Sequence, residues 1–197
     1  MQVGVQNTPI STKQFFRSLL RAWPSVVGGP PNLNSILLLM AQSSIETGQW
    51  HDLRNYNLGN ILHVPTDGFD FYLWGTHNRS FKSYESLDQA MRDYLRVLKK
   101  QFAVAWPAVG AGDPAAFAHL LKQANYYEES EETYLAGIQK YLDYFQKTLS
   151  MDRVAAWSSE PDVPVAPPPA TSAWPAVVVG LTLLAGAAYA AVRVARV

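Results

Sequence analysis

One carboxylate in this 197-residue sequence stands where the local electrostatics work against its charge. Glu46 falls in the last turn of an apolar helical segment, SILLLMAQSSIETG, on the side that carries Gln42 and Ser43. The negative end of the helix dipole and the Leu-rich surround both disfavour the ionised form. Its pKa should therefore rise toward the range a general acid needs near neutrality. Gln49-Trp50 and then Asn55-Tyr56-Asn57-Leu58-Gly59-Asn60-Ile61 follow, bringing amides and aromatic faces of the kind that bind N-acetylated sugars. The chemistry this suggests is acid-catalysed cleavage of a glycosidic bond. A two-carboxylate mechanism needs an ionised partner about 5 to 5.5 Å from the acid for retention, or about 6.5 to 9.5 Å for inversion. Asp67 and Asp70 are the candidates. Asp67 sits in a turn signal, where Asp is common for conformational reasons. Asp70 lies in a following strand, where Asp is a poor former, and is the stronger of the two. A substrate with a 2-acetamido group can supply its own nucleophile, so a second carboxylate is not obligatory.

Four ordered blocks carry a family resemblance. Ala41-Gln42-x-x-x-Glu46-Thr47-Gly48-x-Trp50 with Asn57-Leu58-Gly59-Asn60-Ile61 resembles the signature of the lysozyme-like glucosaminidase domains. These are flagellar and autolysin-type peptidoglycan hydrolases of the glycoside hydrolase family 73 kind. Phe81-Lys82-Ser83-Tyr84-x-Ser86-Leu87, Ala124-Asn125-Tyr126-Tyr127 and Tyr134-x-x-Gly137-Ile138 resemble its later blocks, with Asn125 where a Gly is usual. The resemblance spans residues 15–144. It implies a lysozyme-like fold and cleavage of the β-1,4 glycan backbone of peptidoglycan, with Glu46 as general acid and Tyr126 as the phenol near the reacting bond, while Asp70 stays the preferred second carboxylate on its strand position alone. Gln42, Trp50, Asn57, Asn60, Trp74 and Tyr127 are the expected substrate-binding residues. N-acetylglucosaminidase, muramidase and lytic transglycosylase reactions all begin with protonation by one Glu, so the motif is compatible with each. A glycan-binding or structural module without turnover is the alternative from a different class.

The elements that must position these groups are mostly helical. Ser11 is expected to cap a helix to about Trp23, Asn34 a second, nearly all-apolar helix ended by Gly48, and the Ser86/Gln89 capping box a long helix over 87–102. Asp113-Pro114 opens another to about Ala124, and Ser130 a last one to about Leu149, with Glu128, Glu129, Glu131 and Glu132 suiting that helix start and Tyr134 on its core face. Between them, 61–64 and 69–74 around Thr66-Asp67-Gly68 read as a β-hairpin. The fold class is α+β, mostly helical, with a small hairpin lobe.

Composition sets the remaining bounds. The 16 Lys and Arg balance the 16 Asp and Glu and are scattered, which argues against nucleic-acid binding. There is no Cys, and none of the four His are paired at metal-ligand spacing on a helix, so neither a metal nor a cofactor is expected. The globular domain is expected over 1–157, followed by a Pro-rich linker over 158–173. Residues 174–192 carry no charge and match the hydrocarbon thickness as a single transmembrane helix, edged by Trp174 and by a basic tail over 193–197 with Arg193 and Arg196. The expected partners are peptidoglycan strands and the lipid bilayer, with self-association through Gly186 and Ala190 or contact with other envelope or virion membrane proteins. The N-terminus lacks a basic region before an apolar one, so no secretory signal is expected. The basic tail favours the cytoplasmic side, and this conflict leaves two locations: a bacterial inner membrane, or the membrane of a phage virion whose anchored enzyme opens the cell wall.

Overall fold

The computed structural model describes residues 1–75 and 79–160. These form α1 (Thr12–Val26), α2 (Leu33–Thr47), β1 (Asp70–Trp74), β2 (Arg79–Ser83), α3 (Leu87–Arg96), α4 (Trp106–Ala111), α5 (Pro114–Gln123), α6 (Glu131–Thr148) and α7 (Met151–Ser159). The fold is mostly helical with one small antiparallel sheet. Local hydrogen-bond chemistry sets the helix starts: Ser11 and Gln14 form a reciprocal capping box, and Ser86, Asp113, Ser130 and Ser150 each accept from a first-turn amide. Helix α2 is the centre. Every residue from Ile36 to Ala41 is buried, and Gly48 ends the helix in the left-handed conformation (φ 55°) that a residue without Cβ adopts freely. Helix α1 packs on α3, and α6 packs on α2. Gly137 permits that second approach, since a Cβ there would meet the Ile45 side chain at 2.5 Å.

Several elements differ from the sequence expectation. The cap of α2 is Asn32, whose side chain accepts from the Ser35 amide, rather than Asn34. The hairpin pairs β1 with β2, from Asp70 opposite Ser83 to Trp74 opposite Arg79, so the expected strand over 61–64 is not one of its arms. Leu62 makes only an isolated bridge to Phe81. Thr66-Asp67-Gly68 is nonetheless a turn, closed by the Asp67 carboxylate accepting from the Val64 and Phe69 amides at 2.9 and 3.1 Å. The long helix over 87–102 is α-helical only to Arg96, then widens into a π turn at Val97–Gln101. Helix α4 has no counterpart among the expected elements, and α7 carries regular structure to Ser159, beyond the boundary expected at Trp157. Glu160 then pairs with Lys13 and Arg17 of α1. Among the described residues no helix is long and apolar enough to cross a membrane, and the expected span over 174–192 lies outside them.

A buried ionic cluster joins the hairpin to the helices. Lys82 of β2 bonds Asp93 of α3 at 2.9 Å, Asp67 lies 3.5 Å from the same ammonium, and Tyr84 donates to Asp93 at 2.9 Å. Removing one partner of such a pair leaves a charge buried with less compensation. Asp93→Asn is expected to lower stability by about 3 kcal/mol, read as a lower melting temperature by calorimetry. An unchanged melting temperature would mean the cluster does not hold the lobe.

Candidate active site

Glu46 ends α2 with its side chain almost enclosed, at 6% exposure. Burial is the largest influence on it and raises its pKa to about 8, with the charge of Glu129 adding to the rise. Hydrogen bonds from Tyr134 and Asn60 oppose the shift without overcoming it. The group is therefore a protonated acid at neutral pH.

The hydrogen-bond network around it specifies which oxygen holds the proton. Tyr134 of α6 donates to Glu46 Oε1 at 2.9 Å. Gln42, one turn before Glu46 on α2, places Nε2 within 2.9 Å of the Tyr126 hydroxyl, 3.1 Å of the Tyr134 hydroxyl and 3.2 Å of Glu46 Oε1. An amide has two N–H bonds. The two phenols accept them, since Tyr126 passes its own proton to the Gly59 carbonyl at 3.2 Å and Tyr134 passes its own to Glu46. Gln42 Oε1 accepts in turn from Tyr94 at 2.5 Å. Burial pushes the Tyr94, Tyr126 and Tyr134 phenols well above their usual range, aided by the Glu46 charge, so all three remain donors. With Oε1 occupied as an acceptor, the carboxyl proton belongs on Oε2. Asn60 Nδ2 stands 3.4 Å from that oxygen and donates at 2.6 Å to the Glu46 carbonyl.

The loop between α2 and β1 is held in an unusual backbone conformation. Gln49, Trp50, Asn55, Tyr56 and Asn60 all have positive φ, from 48° to 66°. Such residues persist where surrounding bonds over-determine them. Here Tyr56 N donates to Thr8 Oγ1 at 2.8 Å, and the Asn55 side chain bonds Gly4 and Gln6 of the N-terminal segment. Gly59 lies against two rigid phenols: a Cβ there would stand 3.2 Å from both the Tyr126 hydroxyl and Tyr94 Cδ2. Gly59→Ala is expected to displace Tyr126 from Gln42, destabilise the fold by about 1 to 3 kcal/mol and reduce turnover. Calorimetry beside a rate assay checks it, and a variant equal to wild type in both would contradict the packing argument.

The structure sorts the residues expected to act here. Glu46, Gln42, Asn60 and Tyr126 are brought together, with Gln42 and Tyr126 fully enclosed and bonded to one another. Three expected substrate-binding residues are enclosed and bonded within the domain. Trp50 is buried, stacked between Phe15 and Phe145 with ring centroids 4.8 and 5.7 Å away, because the left-handed loop turns it inward. Asn57 is buried and spends its amide on the Ile61 and Lys82 carbonyls and the Ile61 N–H, bracing the loop. Tyr127 is buried, donates to the Ala118 carbonyl at 2.9 Å and stacks on Tyr134 at 3.7 Å, fixing the ring that bonds Glu46. Trp74 remains at the surface, 38% exposed. Asp70 is half-exposed, and its carboxylate meets the N-terminal ammonium at 2.7 Å. The charge that acts on Glu46 is that of Glu129, not Asp70.

Two residues of consequence have a different meaning in the sequence. The helical pattern places Tyr134 on a core face, and it is buried there, but a buried phenol is also a donor that needs a partner, and Glu46 is that partner. Glu129 reads as part of the acidic helix start. Its Oε1 is buried with no hydrogen-bond partner among the described residues, and the segment is pinned by Lys122, which donates to the Glu128 carbonyl at 3.0 Å and the Glu129 carbonyl at 2.5 Å. No cluster of three or more His, Asp or Glu with metal-binding geometry occurs among the described residues.

The fold has counterparts among solved structures. The fold is the lysozyme-like one, with its helical body and small β lobe, and it is shared with two proteins of low sequence similarity. A peptidoglycan hydrolase from Sphingomonas sp. A1 superposes with a TM-score of 0.56 at 21% identity, covering 77% of this chain and 99% of its own. The glycoside hydrolase domain of Salmonella typhimurium FlgJ does so with a TM-score of 0.52 at 18% identity, covering 76% of this chain and 96% of its own. No protein-family model and no curated protein matches the sequence.

Proposed function

We propose that this chain is a glycosidase that cuts the β-1,4 glycan backbone of peptidoglycan, with Glu46 as general acid. The observation that carries the reading is a single enclosed carboxyl group, held protonated by burial and oriented by Tyr134. In the reaction, Glu46 Oε2 gives its proton to the glycosidic oxygen as the C–O bond breaks, and Glu46 becomes a carboxylate stabilised by Tyr134 and Asn60. Glu129, whose Oε1 is buried without a hydrogen-bond partner among the described residues, is the second carboxyl group. It takes the proton of the water that attacks the sugar cation, or of the sugar's own hydroxyl when the ring closes on itself. The lysozyme-like fold shared with a peptidoglycan hydrolase and with a glycoside hydrolase domain supports the substrate class.

The uncharged segment over 174–192 extends the proposal to a membrane-tethered enzyme. A Pro-rich linker would let the domain reach the wall while confining it to the anchor's neighbourhood. The acid predicts a pH profile. With Glu46 at about 8, kcat/KM on purified cell walls should be level around pH 6 and fall about tenfold per unit well above pH 8, as the required proton is lost. A rate still rising at pH 9 would sink the assignment.

A further inference from the structure

One surface cation is left unused by the acid chemistry. Arg54 lies in the α2–β1 loop with its guanidinium 4.0 Å from the centre of the Trp74 ring. One of its N–H groups donates to the Asp52 carbonyl at 2.9 Å, and among the described residues no carboxylate pairs with it. A guanidinium has five N–H donors and stays charged at any working pH, so a planar set of donors remains for an anion. Trp74 is the exposed aromatic beside it, with one face covered by that guanidinium.

Two connections relate this pair to the acid. Arg54 shares its loop with Asn60, which contacts Glu46. Across the hairpin, Trp74 is the register partner of Arg79, whose guanidinium reaches Glu128 at 3.3 Å, next to Glu129.

We infer that Arg54 and Trp74 form a subsite for a sugar that bears a carboxylate, the ring stacking on Trp74 and the carboxylate taking the Arg54 fork. The inference rests on the peptidoglycan reading and adds a preference to it: the enzyme selects anionic wall glycan over neutral glycan of the same backbone. In the wall that carboxylate is the lactyl group of a muramic acid without a peptide stem or, where a stem is amide-bonded to that group, a carboxylate of the stem. Charge-assisted bidentate pairing gives the discrimination, because a neutral sugar leaves the fork unmatched.

The test measures affinity on the full chain carrying Glu46→Gln, so that no ligand is consumed. Three probes of equal glycan length are compared: peptide-bearing wall glycan, wall glycan stripped of peptide, and a neutral N-acetylglucosamine oligomer. Adding Arg54→Gln should weaken binding of carboxylate-bearing glycan about tenfold and leave the neutral oligomer unchanged, which also reports that the fold is intact. A loss confined to the peptide-bearing probe assigns the carboxylate to the stem, a loss confined to the stripped glycan assigns it to the lactyl group, whose carboxyl is free only where no stem is amide-bonded to it, and a loss for both means that the fork takes either. Trp74→Ala should weaken all three. Equal effects of Arg54→Gln on all probes, or none, overturn the subsite while leaving the glycosidase reading standing. If none of the three probes binds before Arg54 is changed, the glycosidase reading falls and the subsite with it.

Discussion

Glu46→Gln is expected to lower glycan cleavage by about three orders of magnitude and at the same time to make the protein more stable in alkali. The first effect follows from removing the proton that the proposed reaction delivers to the glycosidic oxygen. The second follows from linkage. The pKa of Glu46 is about 8 when folded and near 4.5 when exposed, so below pH 4.5 both states are protonated and the group leaves stability unaffected. Between those values the unfolded chain releases a proton that the folded chain retains, and stability falls as pH rises until the folded group ionises. Gln does not titrate and fills the same space, so its advantage should be absent at pH 4 and amount to a few kcal/mol at pH 9. Calorimetry of the two proteins at both pH values checks this. Equal melting temperatures at pH 9 would show that Glu46 ionises without cost and is not held as an acid.

Glu129→Gln should be the second most damaging change. Turnover is expected to fall by about two orders of magnitude, because the water or hydroxyl that captures the sugar loses its proton acceptor. The sign of a second effect separates this role from a structural one. The Glu129 charge raises the Glu46 pKa, so its removal should move the alkaline limb of the pH profile to lower pH. Asp70→Asn should leave both rate and limb close to wild type. If Asp70→Asn were the damaging change, the hairpin would supply the second carboxylate and Glu129 would return to the helix start.

What is legible in the sequence depends on how local its cause is. Ser11, Gly48, Ser86, Asp113 and Ser130 announce their helix ends because a cap is chemistry between residues three or four apart. The same rule misplaces the start of α2, where Asn32 and Asn34 are equally good caps and only packing chooses between them. The hairpin fails for a non-local reason: Thr66-Asp67-Gly68 does form a turn, but Asp67 closes it with its own side chain, and strand pairing is set further on. Helices α4 and α7 are hidden, one behind Pro107 and flanking small residues, the other against the Pro-rich segment that follows it.

The site divides in the same way. Glu46 and Gln42 share one face of one helix, so their proximity is written in their spacing, and the 3.2 Å contact between the Gln42 amide and the Glu46 carboxyl follows from it. Tyr134 lies 88 residues further on, and its bond to Glu46 exists only because α6 packs closely on α2 where Gly137 allows it. Trp50 and Tyr127 mislead because an aromatic beside a catalytic motif suits either a sugar or the core, and the backbone angle that turns Trp50 inward leaves no mark on residue type. Glu129 is masked by its neighbours, since a run of acidic residues around a helix start already has a sufficient explanation in the dipole.

The most direct measurement is mass spectrometry of the fragments released when purified peptidoglycan is incubated with the full chain and, in parallel, with its Glu46→Gln variant. The expected result is fragments with new sugar ends from the wild type and none from the variant, the end group naming the bond cut and whether water or the sugar's own hydroxyl captured the cation. Fragments that end at peptide bonds, equal release by the variant, or no release by the wild type would contradict the assignment of Glu46 as the acid of a glycan-cleaving enzyme.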